Sequence, residues 1–220
     1  MSMWDSEKKT VLEAAQRMSQ RGFVVGTAGN VSMRLNDLDG RQLMVITPTG
    51  KHYDSTSVAD MVVVDFKGNV IEGQHTPSVE TMMHVEVYKT RKKVNAVIHS
   101  HPVFSSAIAV AGLEIPPIVD DQITYLGGGI KVADYALSGS QDMVQNVISA
   151  LGPRNAVLMS NHGALCVGRD MREAFTNLEM LEKTAKIYIS VLSIGKLTAL
   201  PVEAIEVQRA FFEYMHGEGE

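Results

Sequence analysis

The sequence predicts one α/β domain over residues 1–220, built as three α/β/α layers around a mixed, largely antiparallel sheet. Three observations carry this. Stretches of helical period alternate with short apolar runs of strand length along the chain. Several neighbouring strands are joined by connections too short for the crossover helix that a parallel pair needs. The 220 residues are 45% apolar and 20% charged, which suits one globular core.

Taken in order, Asp5 or Ser6 is a good N-cap, and Val11, Leu12, Ala15 and Met18 follow at helical spacing. Gly22 suits a left-handed C-terminal cap. Residues 43–46 and 61–64 read as strands, and Phe66-Lys67-Gly68-Asn69 before Val70-Ile71 is a hairpin signal. Pro77 fits the first position of a helix, where its missing N–H costs nothing; Thr76 would cap it, and the helix would cover 78–91. A strand over 94–100 and a helix over 104–110 follow. The Gly- and Pro-rich segment 112–129 gives no periodicity. Ser140 caps a helix to Leu151, residues 156–159 form an apolar strand, and Asp170 with Glu173 makes a capping-box-like start for a helix to Ile194. A last helix runs from Glu203 to Met215, ahead of a frayed Gly/Glu tail.

Composition narrows the function. A net charge of -5 without a basic run argues against a nucleic-acid footprint. No apolar run reaches the ~18 residues of a membrane span, and the first nine residues do not read as a signal peptide. Cys166 is the sole cysteine, which excludes an intrachain disulfide and fits a reducing cytoplasm.

The chemistry-bearing motif is Val97-Ile98-His99-Ser100-His101-Pro102, together with Asn161-His162-Gly163. Residues two apart on a strand share a face, so His99 and His101 can aim at one point. His162, at the end of a distant strand, can complete a three-imidazole site with an open position, a common arrangement for catalytic zinc. Two strand histidines alone fit a hydrogen-bonded sheet end equally well, and His162, which by itself also reads as a turn histidine, shifts the balance towards metal. His52, His75, His84 and His216 lack matching partners and read as structural or surface residues. Glu80 falls in the first turn of the Pro77 helix, where the helix dipole favours negative charge; beside a metal it can be a ligand or a base. Gly26-Thr27-Ala28-Gly29-Asn30-Val31-Ser32 reads as a loop, and Thr47-Pro48-Thr49-Gly50 as a turn. Their hydroxyls and backbone N–H groups can cradle a phosphate, although neither is a P-loop.

These segments, with Pro77-Ser78-Val79-Glu80, occur in the order and spacing of the class II aldolase and adducin family, which the chain resembles over nearly its whole length. Its likeness is greatest to the fuculose-phosphate aldolase branch, with the ribulose-phosphate 4-epimerases as sisters. The resemblance implies one zinc ion per subunit on His99, His101 and His162, with Glu80 as fourth ligand or base. It implies a phosphate pocket of Asn30, Thr49, Gly50 and Ser78, helped by Thr27, Ala28 and Gly29. It implies a cytoplasmic homotetramer with the active site at a subunit interface and a small sugar phosphate as substrate. The implied reaction is reversible cleavage of a ketose 1-phosphate to dihydroxyacetone phosphate and an aldehyde through a metal-stabilised enediolate. Tyr214 is the match for the C-terminal tyrosine that protonates the aldehyde side. Two departures stand out. Val79 replaces a serine that phosphate-binding members often carry, leaving only its backbone N–H. Asp120 and Asp121 lie where the aldolases have a tyrosine and the epimerases an aspartate, with Tyr125 as a further aromatic nearby. The alternatives are 4-epimerisation of a pentulose 5-phosphate, a dehydratase or decarboxylase of related zinc chemistry, and an adducin-like binding module without catalysis.

Overall fold

The computed structural model describes residues 3–35 and 40–217; of the expected Gly/Glu tail, residues 218–220 lie outside the described residues. An eight-stranded sheet in the order β4-β3-β2-β1-β5-β8-β7-β6 forms the middle layer. Its strands are β1 Asn30–Leu35, β2 Leu43–Ile46, β3 Val62–Asp65, β4 Val70–Glu72, β5 Ala96–Ser100, β6 Val132–Ala133, β7 Ala156–Met159 and β8 Gly163–Gly168. All pair antiparallel except β6 with β7, so the sheet is mixed and largely antiparallel as expected.

Strand alternation splits the core in two. Val31, Val45, Ile98, Leu158 and Cys166 face α1 (Asp5–Gln20), α3 (Val103–Ala111) and α6 (Met171–Ile194). Val64, Val97, Val157 and Leu165 face α2 (Thr81–Thr90) and α5 (Gln141–Leu151). Helix α4 (Asp120–Leu126) packs against α6 and α7 (Val202–His216). No helix of the described residues is long and apolar enough to cross a membrane.

Local chemistry sets most element ends. Gly22 takes a left-handed φ of 71° just after α1. The helix starts on Asp5 itself, with Trp4 rather than Asp5 or Ser6 at the N-cap; Asp5 and Glu7 then offset the N-terminal dipole. The β3–β4 turn is held by Asp65, whose carboxylate accepts from Lys67 N, Asn69 N and Asn69 Nδ2, each at 2.8 Å. Ser140 Oγ accepts from Met143 N at 3.2 Å and caps α5. Asp170 caps α6 through Glu173 N at 2.8 Å, but Glu173 does not close the box on Asp170; it reaches back to Arg169 N at 2.5 Å.

Helix α2 departs from expectation. It begins at Thr81, not around Pro77, and Glu80 is its N-cap residue rather than a first-turn residue. Pro77 bridges Pro48, and Ser78 N donates to Thr47 O at 3.2 Å, so tertiary pairing holds residues 77–79 out of the helix. The segment 112–129 contains α4, tied down by buried Gln122, whose side chain bonds Ile118 N, Pro116 O and Gly128 O, each at 3.0 Å.

Glu173 also accepts from Arg169 and from His216 Nε2 at 2.9 Å. Burial would raise its carboxyl, but His216 and Arg169 outweigh burial and hold it down at about 2, against an ordinary 4.5. A carboxyl depressed by folding adds stability above its unfolded pKa, and that stability is lost as pH falls towards the folded one. The wild-type melting temperature is therefore expected to fall more steeply between about pH 4.5 and 2 than that of Glu173→Gln; parallel curves would contradict this.

Candidate metal centre

The site is assembled on the sheet face that packs against α2. His99 on β5 lies opposite Asn30 on β1 and Leu165 on β8, and cross-strand partners share a face. His101 follows the end of β5, its N–H held by Phe23 O at 2.8 Å. His162 sits in the turn between β7 and β8, next to Asn161, which takes a left-handed φ of 53° that asparagine tolerates. Gly163 has a steric reason: a Cβ there would lie 2.5 Å from both His101 Cδ2 and Ser100 O. Gly29 is required as well, because a Cβ on it would meet His99 O at 2.7 Å.

The three imidazoles converge as the sequence predicted. Their ring centroids lie 4.8, 4.8 and 5.1 Å apart, and their ligand nitrogens all fall within 4.8 Å of one another. Glu80, 4% exposed, closes the group: Oε2 is 3.2 Å from His99 Nε2 and Oε1 is 3.5 Å from His162 Nε2. Asn30 Nδ2 donates to Oε2 at 2.8 Å, and Ser138 Oγ donates to Oε1 at 2.8 Å.

The donor set fits a divalent cation. His99 Nδ1 is 3.0 Å from Ala164 O, which can only accept, so that nitrogen carries the proton and Nε2 is bare in neutral imidazole. A bare nitrogen 3.2 Å from a carboxylate oxygen needs a proton or a cation between them. Burial, then the neighbouring His99 and His162, pushes His101 down to about 4. Burial and His99 also push His162 below its usual value. Burial alone would raise the Glu80 carboxyl; His99, Asn30, Ser138 and His162 outweigh it and hold Glu80 down at about 2. These directions favour neutral His101 and His162 and an ionised Glu80 at neutral pH, the forms in which those groups can bind a metal. Three nitrogens and one carboxylate suit zinc and several other divalent ions.

The expected phosphate segments also meet. Thr49 N donates to Thr76 O at 3.0 Å, which with the Ser78–Thr47 bond sets Thr49 and Gly50 beside Ser78. Tyr53 OH donates to Gly29 O at 2.6 Å and Ala28 O at 3.2 Å, fixing the Thr27–Gly29 loop. Asn30, expected at the phosphate, instead gives its amide to Glu80. Ser78 Oγ accepts from Glu80 N at 3.2 Å, and the Val79 side chain is exposed. Tyr214 is 85% exposed on α7, which supplies none of the cluster's hydrogen bonds or ring contacts among the described residues. Asp120 accepts from Gln208 Nε2 at 2.5 Å and Asp121 pairs with Lys183 at 3.0 Å. Of the other histidines, His75 pairs with Asp60 and His216 with Glu173, while His84 is buried, with Nδ1 2.7 Å from Ser32 Oγ. Sequence reasoning missed Ser138: a lone serine in a loop between elements carries no signal of its own.

The three-layer α/β/α domain gathers three histidines and a carboxylate at the ends of its central strands and of α2, the arrangement of a candidate metal centre. The model of the class II aldolase and adducin N-terminal domain matches residues 9–189, and the chain belongs to this family. It is an aldehyde-lyase. It is 33% identical to a 5-deoxy-D-ribulose 1-phosphate aldolase of Bacillus thuringiensis serovar kurstaki, over 94% of this chain and 95% of that protein. It is 32% identical to the L-fuculose phosphate aldolase of Escherichia coli K12, over 84% of each. A solved L-fuculose 1-phosphate aldolase superposes with a TM-score of 0.88 at 32% identity, covering 97% of this chain and 98% of that one.

The close approach at Gly163 gives a direct test. Gly163→Ala is expected to push the His101 ring aside and weaken divalent-ion binding by roughly 10- to 100-fold, the usual effect of disturbing a ligand's support. Competition with a chromophoric chelator measures it; wild-type affinity would mean that β8 shifts to accept the methyl group.

Proposed function

We propose that the protein is a zinc-dependent aldolase that reversibly cleaves a ketose 1-phosphate to dihydroxyacetone phosphate and an aldehyde. The observation that carries this reading is the convergence of His99, His101, His162 and an ionised Glu80 at one partly buried point. His99, His101 and His162 would hold the ion through Nε2. When bound, the ion supplies Lewis-acid stabilisation for the electron pair left on the ketose fragment as C3–C4 breaks. Glu80 holds the proton that moves at C3 of the dihydroxyacetone phosphate half. It takes that proton in the synthetic direction and returns it during cleavage. Thr49 and Ser78 hydroxyls, with N–H groups of Gly50, Val79 and the Thr27–Gly29 loop, seat the phosphate. Tyr214, reaching over from a neighbouring subunit of a homotetramer, protonates the aldehyde oxygen. The names of the relatives, a 5-deoxy-D-ribulose 1-phosphate aldolase and an L-fuculose phosphate aldolase, support the substrate class. A cytoplasmic location is part of the same reading.

The test is release of dihydroxyacetone phosphate from a panel of ketose 1-phosphates, with and without chelation. Chelator-sensitive release is expected, and the ranking of the panel identifies the aldehyde. No release from a protein holding one ion per chain would overturn the aldolase reading in favour of epimerase, dehydratase or decarboxylase chemistry. No release and no metal would leave a binding module.

A further inference from the structure

We propose that Ser138 is a positioning residue for Glu80; this rests on the aldolase reading above. The carboxylate has one donor and one imidazole on each oxygen. On the interior side, buried Asn30 donates to Oε2, which faces His99. On the solvent side, Ser138 donates to Oε1, which faces His162. The last torsion of a glutamate is broad and nearly two-fold, so one donor leaves the carboxylate free to turn, whereas two donors on opposite oxygens fix its plane.

The chain presents Ser138 firmly although the residue itself is exposed. Ser140 N donates to Leu137 O at 3.0 Å, closing a tight turn around it. Gly139 takes a φ of 77°, and a Cβ there would approach Val79 O at 3.1 Å, so the turn lies against the residue preceding Glu80. The far end of the turn is pinned where Ser140 caps α5. Hydrogen-bonded partners of ligating carboxylates orient them and tune their basicity. Ser138 supplies that support from the mouth of the site, and the exposure of its loop lets the hydroxyl be removed without disturbing the core.

The experiment compares Ser138→Ala and Ser138→Thr in the full chain, loaded with zinc for kinetics and with cobalt(II) for visible spectra. Ser138→Ala is expected to lose roughly 10- to 100-fold in kcat, with KM for the ketose phosphate and metal content within about twofold of wild type. Ser138→Thr, which keeps the hydroxyl, is expected to restore kcat. The cobalt absorption of Ser138→Ala is expected to differ from wild type, and that of Ser138→Thr to match it. Wild-type kcat in Ser138→Ala, or an equal fall in both variants, would overturn the proposal. If the wild type cleaves no ketose phosphate, the aldolase reading fails, and the cobalt spectra decide Ser138 alone: superimposable bands for wild type and Ser138→Ala reject it.

Discussion

Replacing His101 with alanine is expected to give a folded protein that retains no stoichiometric divalent ion and cleaves no ketose phosphate. The backbone around His101 is held independently of its ring, through the N–H bond to Phe23 O at 2.8 Å. The ring is half-buried rather than part of the hydrophobic core, so little packing is lost. What disappears is one of three imidazole ligands, and two imidazoles hold zinc poorly. The loss in affinity should exceed the roughly 10- to 100-fold that follows removal of an outer support. Metal analysis after gel filtration, beside the cleavage assay and a thermal melt, checks all three parts. An active, fully metallated His101→Ala protein would refute the site.

Glu80→Gln separates holding the ion from moving the proton. Glutamine keeps the shape of the side chain and leaves the three histidines in place, but it has no anionic oxygen to take a proton. Exchange at C3 of dihydroxyacetone phosphate with solvent deuterium should slow by about 10²- to 10⁴-fold, the usual contribution of general acid–base catalysis. The amide also cannot accept from both donors as the carboxylate does, because its nitrogen would face either Asn30 Nδ2 or Ser138 Oγ. Exchange at the wild-type rate would place the base elsewhere.

The sequence made the histidine cluster legible because the short spacing of His99 and His101 keeps both at the end of β5, and apolar residues 156–159 announced the turn that carries His162. The same local logic found α1, the β3–β4 hairpin and the caps at Ser140 and Asp170. What it missed is non-local. Asn30-Val31-Ser32 read as the end of a glycine loop, yet β1 lies between β2 and β5, where pairing on both sides overrides its composition. Strand β8, Gly-Ala-Leu-Cys-Val-Gly, is buried throughout and shows no alternation. Helix α4 has seven residues, too few for a period to emerge. Glu80 was found for the right type and nearly the right place, but its N-cap position comes from the Pro48–Pro77 bridge between two loops.

The pairing of β1, β5 and β8 also bears on how the chain reaches this state. Asn30 must meet His99, and His99 must meet Leu165, so each contact closes a loop of more than sixty residues. The β2–β3–β4 and β7–β8 hairpins join near neighbours and carry a much smaller closure entropy. Distant pairings of this kind slow folding, and the cation site exists only after both have formed. The candidate cation site is therefore a product of the long-range topology: the hairpins by themselves bring none of its three histidines together with Glu80.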